Sequence, residues 1–178
     1  VNNEVVTKPR TDIGMMVQKA VLLDWRTAIE NVLLPSEIQH RITQDDRNKA
    51  MASLDLVGLK GFEFHFPKQL SGGMQQRVAL ARLIQTGANI MLMDEPFGAL
   101  DEFTRERLNI ELERIVGELK ATTLFVTHNI HEAIFLADRV LVMTPRPGRI
   151  AKIIDVEFER PRDISIQTSR DFNIIVEE

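Results

Sequence analysis

The sequence has 178 residues, of which 44% are hydrophobic and 27% charged, with a formal net charge of −4. This composition fits one globular domain and argues against a nucleic-acid partner, because Lys and Arg are scattered and form no basic patch. The absence of cysteine excludes a disulfide framework and a thiolate metal site. No apolar run approaches the ~18 residues that cross a bilayer, so we expect membrane contact only through a partner.

The chain from about Thr27 to Thr86 carries helix signals. Thr43 is a candidate N-cap with Asp46 three residues later, a form of the capping box. Gly58 is suited to end the helix that follows. Between them, apolar residues recur at helical spacing along one face: Ala50, Leu54 and Val57.

From Ala88 onward, strands alternate with helices. The run IMLM is apolar on both faces and predicts a buried parallel strand, and TTLFVTH, RVLVM and RIAKIIDV predict further strands. One helix carries an apolar stripe: Leu108, Leu112, Ile115 and Leu119. The methionines at 15, 16, 91 and 93 are expected to fill gaps in the core. The pattern predicts an α/β protein, a mostly parallel sheet flanked by helices, plus an α-helical subdomain.

Polar residues follow two of these strands directly: Asp94-Glu95 after the first and Thr127-His128 after the second. In open parallel sheets, ligands bind beyond the carboxyl ends of the strands. The acidic pair suits Mg²⁺–nucleotide chemistry, although for this dipeptide alone a solvated turn before Pro96 is the more common explanation. His128 alone could be a structural imidazole, and the four histidines lack zinc-site spacing.

The stretch LSGGMQQRVALAR, between Leu70 and Arg82, places a serine and two glycines at the start of a strong helix. Ser71 could simply cap that helix while the glycines make the turn. Alternatively, a hydroxyl and bare backbone N–H groups at a helix N-terminus form a cradle for phosphate. The stretch alone does not decide between the two interpretations.

Together these motifs resemble the ATP-binding-cassette ATPases. The fifth signature residue, Met74, replaces the usual glutamine of LSGGQ. The segments VLLDWRTAIENVLLP, MDEPFGALDEFTRE and HEAIFLADRVLVMTPRPGRI are similar to the ATPase subunits of nitrate, sulfonate and taurine importers. The matching motifs, in chain order, are the Q-loop glutamine Gln18, the signature Leu70–Met74 followed by Gln75, the Walker B strand Ile90–Asp94 followed by Glu95, the D-loop Gly98–Asp101, and the switch residue His128.

The resemblance implies a role for each of these residues in binding ATP and Mg²⁺ and in ATP hydrolysis. Asp94 would hold Mg²⁺ through water, and Gln18 would contact the metal and the γ-phosphate. Glu95 would be the general base and His128 would stabilise charge. Four signature residues would complete the ATP site of a second subunit: Ser71, Gly72, Gly73 and Gln75. Asp101 would serve as the D-loop acid, a role compatible with capping the next helix.

The resemblance also implies an organisation of the chain. Residues 1–26 would end the N-terminal catalytic portion and carry the Q-loop, and 27–86 would form the helical subdomain. Residues 87–156 would form the α/β catalytic portion, and 157–178 a C-terminal tail. No GxxxxGK(S/T) phosphate-binding loop occurs in the sequence, so we expect an N-terminally incomplete ATPase that is inactive alone.

In its full-length form the protein is expected to be an importer ATPase that pairs with a second copy and binds a transmembrane permease on the cytoplasmic face of the membrane. A solute-binding protein would be an indirect partner. Two alternatives remain open: a non-catalytic docking or regulatory module, and a soluble ATPase outside transport. The sequence does not identify the solute.

Overall fold

The computed structural model describes residues 5, 7, 8, 10–98 and 100–177. Within them, three parallel strands form one sheet, with β2 (Ile90–Asp94) between β1 (Ile13–Met16) and β3 (Thr122–Val126). The segment of β1 was expected only as the approach to Gln18, and the structure adds it to the sheet as a strand. The parallel α/β architecture predicted from the sequence is confirmed.

Helices fill the connections between these strands. Three of them separate β1 from β2: α1 (Ala28–Gln39), α2 (Gln44–Leu56) and α3 (Gly72–Gln85), the last preceded by a 3₁₀ turn at Pro67–Gln69. The helix α4 (Glu102–Leu119) connects β2 to β3, and α5 (Ile130–Leu136) follows β3. Parallel strands need such crossovers, because a short turn can only return the chain antiparallel.

The predicted caps and apolar faces explain the helical part of the chain. The Thr43 hydroxyl accepts a hydrogen bond from Asp46 N at 3.2 Å, and the Asp46 carboxylate accepts one from Thr43 N at 2.8 Å. The helix α2 ends at Leu56, and Gly58 adopts the left-handed backbone (φ 70°) that glycine tolerates best. The predicted apolar face is fully buried: Ala50, Leu54 and Val57.

Two sequence-based expectations about burial are wrong in part. Met16, Met91 and Met93 lie in the core, but Met15 is 63% exposed. Side chains alternate along a strand, so Met15 points to the sheet face opposite the helices, where it aligns with Leu92 and Leu124 in register. On α4, Leu108, Leu112 and Ile115 are buried as predicted, whereas Leu119 in the last turn is 42% exposed.

The segment of β4 (Arg139–Met143) was expected as the next strand of the mostly parallel sheet, and that of β5 (Ile150–Asp155) as a further strand. They instead pair antiparallel with each other in a separate two-stranded sheet. The reason is the short turn at 144–149, in which the Thr144 hydroxyl accepts a hydrogen bond from Arg149 N at 3.1 Å. A connection this short permits a hairpin but not a parallel crossover.

The C-terminal tail, which carries little sequence signal, is folded onto α5. It contains a 3₁₀ segment (Ile164–Thr168) and the helix α6 (Arg170–Glu177). Phe172 of α6 is fully buried in a second apolar cluster with Ile134, Phe135 and Val156. The larger core lies between the parallel sheet and helices α1 to α4.

Candidate functional site

Three of the predicted site residues meet at the carboxyl edge of the parallel sheet. Glu95 follows β2, His128 follows β3, and Gln18 follows β1. The Gln18 side-chain amide donates a hydrogen bond to Glu95 Oε2 at 2.9 Å, and His128 Nδ1 lies 3.2 Å from Glu95 Oε1. An ionised carboxylate only accepts hydrogen bonds, so the imidazole can donate here in the form that carries a hydrogen on Nδ1. One carboxylate is thus held by two side chains from the neighbouring strands.

The backbone at Glu95 is held in a strained conformation. Its φ is 44°, in the left-handed region that a non-glycine residue rarely adopts. Glu95 N donates to Val126 O at 2.8 Å, and Glu95 O accepts from Gly98 N at 3.2 Å. Such strain costs about 1–3 kcal/mol and concentrates at functional sites. The strand end of β3 therefore fixes where the Glu95 carboxylate points.

Asp94 is the last residue of β2, and its side chain is exposed beside Glu95. Its register partner on β3 is Val126. With the amide oxygen of Gln18 near the same edge, the site offers the carboxylate and carbonyl oxygens that Mg²⁺ prefers. Among the described residues, no three His, Cys, Asp or Glu side chains converge to form a metal cluster. The oxygen donors of Asp94 and Gln18 thus fit one hydrated Mg²⁺.

The signature residues lie at the start of α3. Ser71 is the N-cap, and its hydroxyl accepts a hydrogen bond from Met74 N at 3.3 Å. The Gln75 side chain donates to Pro67 O at 2.9 Å and to Leu70 O at 3.2 Å, which fixes the loop that leads into the helix. A methyl group at Gly72 would meet no atom within 4 Å. Packing within this chain therefore does not require glycine at that position.

Asp101 caps α4, and its side chain accepts a hydrogen bond from Thr104 N at 3.0 Å. The hydrogen bonds from Thr104 hold the pKa of the Asp101 carboxyl below its usual value. Of the predicted D-loop, Gly98 and Leu100 are described, and Ala99 lies outside the described residues. The capping contact is compatible with a D-loop role for Asp101, which stays a prediction.

Sequence reasoning missed the residues that support this site. Gln76 is 4% exposed and donates to Gln18 O at 3.1 Å. Behind His128, the Thr127 hydroxyl accepts from Asn129 N at 3.0 Å and donates to the buried Glu132 carboxylate. Burial raises the pKa of Glu132, and the Thr127 hydroxyl partly opposes that rise. The sequence could have pointed to these supporting residues only through their positions near the motifs. Gln76 follows the signature, and Glu132 lies four residues after His128.

Comparison with known proteins identifies the family of the chain. Residues 1–98 match the family model described as ABC transporter. The chain is 47% identical, over 89% of its length, to an ABC transporter ATP-binding protein of Methanocaldococcus jannaschii. The chain belongs to the ABC transporter family, and the resemblance seen in its motifs is confirmed.

Several relatives are ATP-binding proteins of importers. The chain is 40% identical to the aliphatic sulfonates import protein SsuB of Bacillus cereus over 98% of its length. It is 43% identical to the taurine import protein TauB of Rhizobium johnstonii over 89%. Bicarbonate transport and nitrate import proteins of Synechocystis and Synechococcus elongatus are similar at 40% identity. The chain spans 59% of the length of the Methanocaldococcus relative, 67% of SsuB and 61% of TauB.

The fold matches a solved ATP-binding cassette. A dimeric cassette in a post-hydrolysis state, bound to ADP and Pi, superposes with a TM-score of 0.74 at 33% identity, over 83% of this chain and 64% of that one. Within the part of the chain that the structure describes, no helix has the length and apolar character needed to cross a bilayer.

Proposed function

We propose that this chain forms part of the ATPase subunit of an importer, carrying the residues that hydrolyse ATP but not the phosphate-binding loop. The observation that supports this best is the Glu95 carboxylate, held in a strained turn between Gln18 and His128. A solvated turn would need neither the strain nor the two contacts from neighbouring strands. The family membership of the chain supports the same reaction.

In this proposal Glu95 is the general base that takes a proton from the attacking water. Each of its oxygens accepts one hydrogen bond and keeps a second lone pair, so it can still accept from water. His128 orients the carboxylate through Nδ1, and its 73%-exposed side chain can reach the γ-phosphate. Asp94 and the Gln18 amide oxygen would hold Mg²⁺, which supplies charge neutralisation at the phosphates when bound.

The signature residues would act on the ATP of a second subunit. Ser71, Gly72 and Gly73 present a hydroxyl and backbone N–H groups at the N-terminus of α3, where the helix dipole favours an anion. The open space around Gly72 supports this role, because glycine there costs helix stability without easing contacts within the chain. Gln75 would support the cradle through its hydrogen bonds to the preceding loop. The dimeric state of the structural neighbour supports pairing of two copies.

A permease would dock near the helical lobe, between Gln18 and Val32. Trp25 is 73% exposed and Phe64 is 70% exposed. The two segments lie close together because the backbone of Ala28 donates to His65 O at 2.8 Å. Exposed aromatic residues grouped in this way mark an interaction surface. The subunit would then be peripheral on the cytoplasmic face of the membrane, next to a permease that receives solute from a binding protein.

The solute would be a small anion or sulfonate such as nitrate, an alkanesulfonate or taurine. The transport functions of the relatives support this range and extend it to bicarbonate. An ATPase subunit does not contact the solute, so uptake assays must choose among these candidates. Uptake of an amino acid or a sugar alone would contradict the importer subtype.

The test of the function compares two proteins: this chain by itself, and a fusion in which the N-terminal segment of SsuB, including its phosphate-binding loop, precedes Val1. We expect ATP hydrolysis by the fusion only. Glu95→Gln in the fusion should lower the rate by about 10²–10⁴-fold, because the amide keeps its shape but cannot take a proton. ATP binding should persist. A Glu95→Gln fusion with the unchanged rate would refute the catalytic role.

A further inference from the structure

The helix that begins at the signature is fastened to the segment that carries Gln18. Gln76, in the second turn of α3, donates from Nε2 to Gln18 O at 3.1 Å. Arg82, further along the same helix, donates from Nη1 to Val21 O at 2.7 Å. Two side chains of one helix therefore hold the backbone of residues 18–21.

The contact at Gln76 is part-buried and continues to Glu95. Gln76 is 4% exposed, so the donor side of this hydrogen bond is shielded from water, and without it the Gln18 carbonyl loses the group that holds it to α3. The side chain of Gln18 is exposed and spans to Glu95 Oε2 at 2.9 Å. Holding the Gln18 backbone in place keeps its side-chain amide within reach of Glu95 and lowers the entropy cost of forming this contact. The connection runs from α3 through Gln76 and Gln18 to Glu95.

We propose that Gln76 is a positioning residue, which holds Gln18 against Glu95 and ties both to the helix that presents Ser71. Gln76 lies five residues after Ser71, a rise of about 7.5 Å along one rigid helix. A shift of the helix start is therefore carried to the Gln18 carbonyl. The inference rests on two parts of the proposed function, namely Glu95 as the general base and Ser71 as a contact to the ATP of a second subunit. Its consequence is that contact of one ATP with Ser71 adjusts the hydrolytic residues that serve the other ATP.

The chain offers a matched control. Gln85 lies on the same helix and also donates from Nε2, to Ser36 Oγ at 3.1 Å and to Asp46 O at 3.3 Å. These contacts fasten α3 to α1 and α2 rather than to Gln18. Gln85→Met therefore removes the same kind of hydrogen bond from the same helix, away from the site.

The first experiment uses the 178-residue chain without nucleotide. The side-chain amide resonances of Gln18 are measured by NMR in the unmodified chain, in Gln76→Met and in Gln85→Met, each with and without Glu95→Gln. We expect Glu95→Gln to shift these resonances in the unmodified and Gln85→Met backgrounds but not in Gln76→Met. An equal shift in the Gln76→Met background would overturn the proposal, whether or not the chain belongs to an ATPase.

The second experiment uses the fusion with the SsuB N-terminal segment. Gln76→Met should lower kcat by about 10–100-fold, because small displacements of reacting groups cost this much, with KM for ATP changed less than about twofold. Gln76→His keeps an N–H donor at similar reach and should restore kcat to within about threefold. Loss in both variants, or a kcat loss of the same size in Gln85→Met, would show a purely structural role and overturn the proposal.

Discussion

Arg162 fastens the C-terminal tail to the end of α5, and Arg162→Met should destabilise the chain by about 2–4 kcal/mol. The Arg162 side chain is completely buried, at 0% exposure. Its Nη1 donates to Ala137 O at 2.7 Å and to Phe135 O at 2.9 Å. These are carbonyls at the C-terminus of α5, where no intrahelical donor is available.

The magnitude is worked from the two shortest of the hydrogen bonds that Arg162 donates to carbonyls, because its bonds to Ile134 O and Phe158 O are longer, at 3.3 Å and 3.2 Å. A buried acceptor left without a partner costs about 1–3 kcal/mol, which gives about 2–6 kcal/mol for the pair. Methionine fills a similar volume, so no large cavity forms. It also removes the cost of burying the guanidinium, which offsets part of the loss and lowers the expected value to about 2–4 kcal/mol.

The assay is urea unfolding of the 178-residue chain, followed by circular dichroism. The matched control is Arg139→Met, since Arg139 forms an exposed ion pair with Asp155 at 2.7 Å with both side chains more than 60% exposed. Exposed pairs contribute about 0–1 kcal/mol, so the control should change stability little. If Arg162→Met destabilised the chain no more than Arg139→Met, the tail would not be part of the cooperative fold, and the reasoning would fail.

Three further predictions concern stability. Burial raises the pKa of Glu132 in the folded chain. The protonated side chain therefore contributes stability that is fully present below the unfolded pKa of about 4.3, and this stability is lost as the pH rises through the folded-state pKa. Glu132→Gln should therefore gain stability relative to the unmodified chain with rising pH in urea titrations, and a pH-independent difference would contradict this. Gly72→Ala should stabilise the chain by up to about 1 kcal/mol, because the added methyl meets open space. Gly58→Ala should cost about 1–2 kcal/mol, because the backbone at Gly58 has a φ of 70°. Thermal unfolding that showed the reverse order of stability would refute both. Leu54→Ala, at a fully buried position of α2, should cost about 2–5 kcal/mol in urea, and a cost below about 1 kcal/mol would place Leu54 outside the core.

Local features of the chain could be predicted from sequence because their causes lie within a few residues. The capping pair Thr43 and Asp46 and the helix end at Gly58 involve contacts no longer than one helical turn. The central strand β2 was recognised because a continuous apolar run satisfies both faces of a parallel sheet. The order of the motifs was sufficient to indicate the family, since each is a short segment with a fixed internal pattern.

The burial of individual side chains and the pairing of strands could be predicted less well from the sequence. The segment of β4 was expected in the mostly parallel sheet, but it pairs antiparallel with β5, because a strand pattern does not specify the partner of a strand. Met15 resembled the other methionines in sequence, and only the strand alternation turned it outward. The tail shows no clear helix or strand pattern in the sequence. It is held in place by Arg162 and Phe172, whose partners belong to α5 and its surroundings.

The sequence by itself determined the helical character of 27–86, the helix α4, the central strand and the identity of the candidate residues Gln18, Glu95 and His128. Only the tertiary structure decided that these residues touch, since 77 positions separate Gln18 from Glu95 and 33 separate Glu95 from His128. The contacts arise because three parallel strands end at the same edge of one sheet. Likewise, nothing near Gln76 in the sequence marks its bond to Gln18, 58 positions away. Long-range contacts depend on how elements pack, and packing depends on the whole core rather than on any local pattern.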